Sequence, residues 1–256
     1  MNEIYVTGDL HGDLGRLFGA SFPEGKNLDR SDVIEILGDF GLIWETDEDD
    51  PKEVSLINQL NDMPWTTIAT LGNHENYDRI KKLPVEERFG APVWVLRDNT
   101  VLLQSGYMYK INGRNIWNFN GARSVDISDG ILDPADPDFK YKKLTLERNF
   151  KRMWRIKGVS WWEDEIEKDP EVYERGIQSL KKNDYKADFI WTHCAPSGTE
   201  EKMGFFSHDR LTDYFQEIDW ILKKNNSSPL WYFGHYHIDA VPERNKCCLY
   251  QSIVRI

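Results

Sequence analysis

The chain has 256 residues, enough for one large domain or two small ones around a substantial core. Hydrophobic residues make up 40% and charged residues 29%, and no apolar run approaches the roughly 18 residues of a membrane helix, which excludes a membrane partner. The net charge of −11 argues against nucleic acid as a partner, because binding it usually requires a basic surface.

The amino terminus enters a strand pattern almost at once, without a basic region and apolar stretch that would indicate a secretion signal. The three cysteines are an odd number, and two of them, Cys247 and Cys248, are adjacent. This is not a disulfide framework, so we expect a reducing, cytoplasmic location.

The first third of the chain alternates between strand and helix patterns. Apolar, β-branched runs end in Gly-Asp or Gly-Asn at YVTGD, at VIEILGD (33–39) and at TTIATLGN (66–73). Helical patterns lie between them, at 13–20 and 52–61. The alternation predicts an α/β fold with a parallel core, in which binding residues collect at the carboxyl ends of the strands.

In the middle of the chain, short strand patterns replace the alternation of strands and helices. VWVL and VLLQ predict short strands, and YMYKINGRNIWNFNG predicts a hairpin that turns at Asn112 and Gly113. We predict that residues 124–160 form a loop-rich excursion that covers another part of the protein and does not build a second core. We therefore expect a single domain over 1–256. The basic residues of 140–157 are typical of a solvated helix face, although a nuclease groove is an alternative.

In the last third, apolar runs again end in polar residues. Helices are predicted at 171–182 and 209–224, strands within 188–196 and 230–239, and a final hairpin at the carboxyl terminus.

Five of the six histidines follow apolar runs: His11, His74, His193, His235 and His237. Asp9, Asp39 and Asn73 stand beside them, and Asp9 and His11 lie two residues apart, which places them on one side of an extended chain. The sixth, His208, precedes a helix in a polar loop and is predicted to lie at the surface. Imidazole with carboxylate and amide oxygen suits Mn, Fe, Zn, Ni or Co. Without His74, these residues supply seven donors, too many for one tetrahedral zinc, and two ions that share a bridging carboxylate would use them.

The ordered motifs GDLHG, GDF, GNHE, the TH of WTHCAP, and GHYH resemble those of the calcineurin-like metallophosphoesterases over nearly the whole chain. The resemblance implies two stacked mixed β-sheets flanked by α-helices and hydrolysis of a phosphate ester by a metal-bridging hydroxide. It further implies a first ion held by Asp9, His11, Asp39 and His237, and a second held by Asp39, Asn73, His193 and His235. His74 would then be the general acid.

One departure concerns the arginine that binds phosphate in Ser/Thr protein phosphatases. That subfamily carries GD-x-VDRG at the second motif, whereas this chain has GDFGLIWE at 38–45. Arg123 is the candidate substitute, and a surface arginine in a turn is the alternative. A non-catalytic metal-binding scaffold remains an alternative function. The sequence does not name the phosphate-ester substrate or the oligomeric state.

Overall fold

The structure is a computed structural model that describes residues 2–256. Its strands are β1 (Ile4–Thr7), β2 (Val33–Leu37), β3 (Thr66–Thr70), β4 (Val85–Arg88), β5 (Ala91–Arg97), β6 (Thr100–Leu103), β7 (Tyr107–Ile111), β8 (Arg114–Phe119), β9 (Ile131–Leu132), β10 (Arg155–Ile156), β11 (Phe189–Thr192), β12 (Leu230–Phe233), β13 (Ala240–Glu243), β14 (Lys246–Cys248) and β15 (Ile253–Arg255). Its α-helices are α1 (Pro51–Asn61), α2 (Tyr77–Ile80), α3 (Phe139–Glu147), α4 (Pro170–Lys182), α5 (Ser197–Met203) and α6 (Arg210–Lys224).

Two large mixed sheets carry the fold. The first has the order β15-β1-β2-β3-β6-β5-β4, and the second has the order β13-β14-β12-β11-β8-β7. The neighbours β1, β2, β3 and β6 run parallel in the first sheet, as do β8, β11, β12 and β14 in the second. Because parallel strands end at the same edge, each sheet gathers the loops after its central strands at one end.

The sheets stack face to face and helices cover their outer faces. Val6 and Ile68 of the first sheet share one buried cluster with Ile116 and Trp191 of the second. A second cluster joins α1 and α2 to the outer face of the first sheet, and a third joins α4 and α6 to the second. The predicted fold class, two stacked mixed sheets flanked by helices, is confirmed.

Local sequence signals account for several elements. The patterns at 52–61, 171–182 and 209–224 form α1, α4 and α6, and the Asp209 side chain caps α6 by accepting hydrogen bonds from two backbone amides of its first turn. The hairpin turns at Asn112 and Gly113 as predicted.

The helix predicted at 13–20 is wrong, since only a 3₁₀ turn at Gly15–Leu17 forms. The Asp13 carboxylate accepts a hydrogen bond from the Gly15 amide at 2.8 Å, which favours a turn over a helix. The run also contains two glycines, and Gly19 adopts a left-handed backbone with φ of 58°.

The carboxyl terminus forms the expected hairpin from β13 and β14, but it does not end there. The chain crosses to the first sheet, where β15 pairs antiparallel to β1. Residues 124–160 are also more ordered than a loop, because β9 and β10 form a small parallel pair and α3 lies between them. No residue of α3 is buried, as expected for a solvated face. No helix within residues 2–256 is both long enough and apolar enough to cross a bilayer.

A buried carboxyl group lies between the two sheets. Glu35 Oε1 is 2.6 Å from the Thr70 hydroxyl, which is itself 2.7 Å from Asn118 Oδ1. The Asn118 amide nitrogen donates elsewhere, so its oxygen accepts the single hydrogen of Thr70. The short contact to Glu35 therefore needs a proton on Glu35, and burial raises the pKa of Glu35 to about 8.

Candidate metal centre

The predicted ligands follow the central strands of both sheets. Asp9, Asp39 and Asn73 come two or three residues after β1, β2 and β3, and His193 and His235 come just after β11 and β12. The parallel strands thus deliver all of them to one end of the sandwich, as the sequence pattern predicted.

Four side chains converge most closely: Asp9, His11, Asp39 and His237. One donor atom from each lies within 4.8 Å of the others. The Nε2 atoms of His11 and His237 are 3.0 Å apart, and His237 Nε2 is 3.2 Å from Asp9 Oδ2. Asp9 Oδ2 is buried and finds no hydrogen-bond donor within residues 2–256. An unpaired carboxylate oxygen among imidazole nitrogens fits a bound cation.

The second group centres on His193. Its Nδ1 lies 2.7 Å from the Leu37 carbonyl oxygen and donates to it, which directs the other ring nitrogen toward the site. His193 Nε2 is 3.3 Å from both Asp39 Oδ1 and Asn73 Oδ1. Both oxygens are acceptors, so a proton on Nε2 or a cation must lie among the three atoms. The His235 ring centre is 5.0 Å from that of His193. These residues fit a second ion, with Asp39 reaching both groups.

Ser124 and Glu165, which the sequence did not indicate, orient the Asn73 amide. Asn73 Nδ2 donates to Ser124 Oγ at 3.2 Å, so its oxygen faces His193. The Ser124 hydroxyl and amide donate to the two oxygens of the buried Glu165 carboxylate, at 2.5 and 3.0 Å. A buried chain of hydrogen bonds of this kind fixes which amide atom is offered to a metal.

Burial and ion pairing determine the charges of the site. Burial acts to raise the pKa of Asp39, but His193 and the neighbouring histidines hold it well below its usual value. Burial lowers the pKa of His193, but Asp39 outweighs it and raises that pKa to about 9. Burial lowers the pKa of His235 to about 3, and it also lowers the pKa of His11. The latter two imidazoles therefore stay neutral, the form that binds metals.

Close backbone approach explains the glycines before the ligands. A Cβ atom on Gly72 would lie 2.8 Å from His193 Nε2 and would collide with the Asp39 carboxylate. A Cβ on Gly234 would collide with the Asp9 carboxylate. The glycines at these two positions therefore make room for the cluster.

His74 lies at the edge of the centre. Its Nε2 is 4.0 Å from Asp39 Oδ2, and burial lowers its pKa. Trp44 stacks on its ring with centres 5.4 Å apart, and Trp162 lies buried against Trp44. A cavity of about 260 Å³ opens beside His74, lined by His11, Gly12, Gly41, Trp44, Leu56 and several charged side chains.

Glu75 and His208 lie outside the cluster. Glu75 is fully buried and accepts a hydrogen bond from the Phe40 amide at 2.7 Å, so it holds the loop that carries Asp39. His208 is exposed beside Glu201, as predicted.

Arg123 is exposed and makes no hydrogen bond or ion pair within residues 2–256. A different arginine, Arg155, approaches the centre, with Nη2 3.3 Å from His74 Nε2. No sequence pattern indicated Arg155 beyond its place in the basic stretch of residues 140–157.

Comparison with known proteins agrees with the motifs. The family profile for calcineurin-like phosphoesterases matches residues 3–239. A search of curated proteins finds no match.

Two solved structures are similar in part. One is a protein of unknown function, AQ665, from Aquifex aeolicus, at 13% identity and a TM-score of 0.38, covering 100% of this chain and 96% of that one. The other is a provisionally assigned 5′-nucleotidase from Staphylococcus aureus in complex with alpha-ketoglutarate, at 14% identity and a TM-score of 0.45. That match covers 99% of this chain, which spans half the length of the Staphylococcus aureus protein.

Proposed function

The chain belongs to the calcineurin-like phosphoesterases, metal-dependent hydrolases of phosphoester bonds, and on that premise we propose that it cleaves a phosphate ester by in-line attack of water, with His74 as general acid. The observation that carries the proposal is the convergence of the donor atoms of Asp9, His11, Asp39 and His237 within 4.8 Å, beside His74.

The proposed ligand sets follow the two groups described above. Asp9, His11, Asp39 and His237 would hold one ion, and Asp39, Asn73, His193 and His235 would hold the other. Their nitrogen and oxygen donors suit Mn, Fe, Zn, Ni or Co. When bound, two such ions lower the pKa of a shared water and neutralise charge on the phosphoryl group.

His74 would protonate the leaving oxygen. Its ring is held by the Trp44 stack and faces the cavity, and its backbone amide donates to Asp39 Oδ1 at 2.8 Å. The leaving group would therefore occupy the cavity that His74 and Trp44 line. General acid catalysis contributes a factor of about 10²–10⁴ in rate.

Three further sequence expectations remain proposals. We propose one domain over 1–256, with residues 124–160 shaping the site entrance. Arg123 remains a candidate for binding phosphoryl oxygens, to be tested against Arg155. The cytoplasmic location rests on three free cysteines, which lie within the described residues.

The direct test is hydrolysis of phosphate monoesters and diesters by metal-stripped protein, resupplied separately with each metal. We expect no turnover without metal and restored turnover with at least one transition metal. A protein that binds two equivalents of metal but hydrolyses no ester would instead support the non-catalytic scaffold.

A further inference from the structure

Arg155 lies in the only strand pairing within residues 124–160. It begins β10, which runs parallel to β9, and its amide donates to the Gly130 carbonyl at 3.2 Å. Its side chain is only 17% exposed. The excursion therefore holds this arginine in a defined place, unlike the exposed basic residues of α3.

The Arg155 guanidinium borders the candidate centre on the side of His74. Nη2 pairs with the Asp126 carboxylate and lies 3.3 and 3.5 Å from the two ring nitrogens of His74. The guanidinium carbon is 5.8 Å from the centre of the Trp44 ring. Asp126 binds Nη2, whereas Nε and Nη1 keep their N–H groups free of protein partners within residues 2–256.

We infer that Arg155, positioned by Asp126, binds a non-bridging phosphoryl oxygen of the substrate, and so makes phosphomonoesters the substrate class. The inference rests on the proposed phosphoesterase function. A monoester has three non-bridging oxygens and carries a charge of about −1.5 to −2 at neutral pH. In a diester one of those oxygens carries a second organic group, so two non-bridging oxygens and one charge less remain. The guanidinium fork matches oxygens of a dianionic phosphoryl group and gains less from a diester.

The test compares two esters with one leaving group, p-nitrophenyl phosphate and bis-p-nitrophenyl phosphate, so that differences in leaving-group protonation cancel. In Arg155→Gln, we expect kcat/KM for the monoester to fall by about tenfold to hundredfold, the loss of a charge-assisted hydrogen bond. The diester should change by less than about threefold on the same argument. Arg155→Lys should recover part of the loss, because it keeps the charge but not the fork.

The matched control is Arg152→Gln. Arg152 also pairs with an aspartate of the same segment, Asp129, but its side chain is 52% exposed and makes no contact with His74. We expect this variant to keep the parental ratio of monoester to diester activity. Asp126→Asn, which keeps the arginine but loosens it, should give a smaller fall in that ratio than Arg155→Gln.

Binding of inorganic phosphate to the metal-loaded protein, measured by calorimetry, supplies a readout that does not need turnover. Arg155→Gln should weaken it by about tenfold or more at unchanged metal content. If Arg155→Gln keeps the parental ratio of monoester to diester activity and the parental affinity for phosphate, the inference is wrong. It is also wrong if Arg123→Gln, and not Arg155→Gln, loses monoester activity. If the parent hydrolyses neither ester with any metal, the proposed function fails, and phosphate binding still decides the role of Arg155.

Discussion

Replacing Gly72 with alanine tests whether the protein packs its ligands around a common point. The φ angle of Gly72 lies outside the left-handed region, so alanine introduces a steric change rather than backbone strain. The new Cβ would stand 2.8 Å from His193 Nε2, whereas an ordinary contact begins at 3.4 Å. His193 must therefore move by about 0.6 Å, and the carboxylate and backbone nitrogen of Asp39 must move further.

Such a shift should affect stability and metal binding together. Overpacking a buried site costs about 1–3 kcal/mol of unfolding free energy. Displacing the groups that hold a metal typically lowers affinity about 10- to 100-fold, and misplacement on the order of 1 Å costs about 10²-fold in rate. For Gly72→Ala we expect fewer than two equivalents of metal by elemental analysis and a loss of at least about tenfold in kcat/KM.

Gly90→Ala is the complementary control. Gly90 has a φ of 81° but no atom within 4 Å of an added Cβ, so alanine there brings strain without a clash. It should lower the unfolding free energy by about 1–2 kcal/mol and leave metal content at the parental value. Two full equivalents of metal and parental kcat/KM in Gly72→Ala would refute the argument that Asp39 and His193 share a tightly packed centre.

Four other variants test the remaining groups. His74→Asn should retain metal and hydrolyse an alkyl phosphate about 10²–10⁴-fold more slowly, because the alkoxide leaving group needs a proton. The loss should be smaller with p-nitrophenyl phosphate, and equal losses with the two esters would contradict a general acid. Asp39→Asn should lower the content of both metals and His237→Ala chiefly that of one, as elemental analysis would show. The pKa of Glu35 is about 8 in the folded state and about 4.5 in the unfolded state. As pH rises between those values, the unfolded chain loses the proton first, so the unfolding free energy falls. The total fall is at most about 5 kcal/mol. Thermal unfolding of Glu35→Gln should show a flatter pH dependence across that window, and an unchanged slope would contradict it.

The sequence predicted that the candidate ligands would gather at one end of the sandwich, because the signal for that placement is local. Each follows a strand directly, and parallel strands bring their carboxyl ends together whatever the details of packing. The same reasoning predicted α1 and α6, whose apolar residues recur at helical spacing. It failed at 13–20, where the Asp13 carboxylate accepts a hydrogen bond from the Gly15 amide and so competes with the helix.

The surroundings of the ligands could not be predicted in the same way. Arg155 follows His74 by 81 residues, and the contact depends on an ion pair with Asp126 and on the β9–β10 pairing. The contact between Ser124 and Glu165 spans 41 residues and likewise leaves no periodic pattern. Long-range contacts of this kind depend on tertiary structure.

One oxygen of each aspartate in the cluster holds a neighbouring loop, and in Asp39 this same Oδ1 also lies 3.3 Å from His193 Nε2. Asp9 Oδ1 accepts the His235 amide at 2.9 Å, and Asp39 Oδ1 accepts the His74 amide at 2.8 Å, so each carboxylate ties a neighbouring loop in place. The other oxygen of each faces the cluster, where Asp39 Oδ2 is 3.9 Å from His11 Nε2. His11, Asp39 and His235 have φ of 48°, 43° and 71°, strained values that persist only where surrounding bonds hold them. Because an asparagine oxygen can still accept the hydrogen of the His74 amide, Asp39→Asn should keep that loop in place while it weakens binding of the cation. A loss of metal in that variant without a loss of fold would therefore separate the two tasks of one side chain.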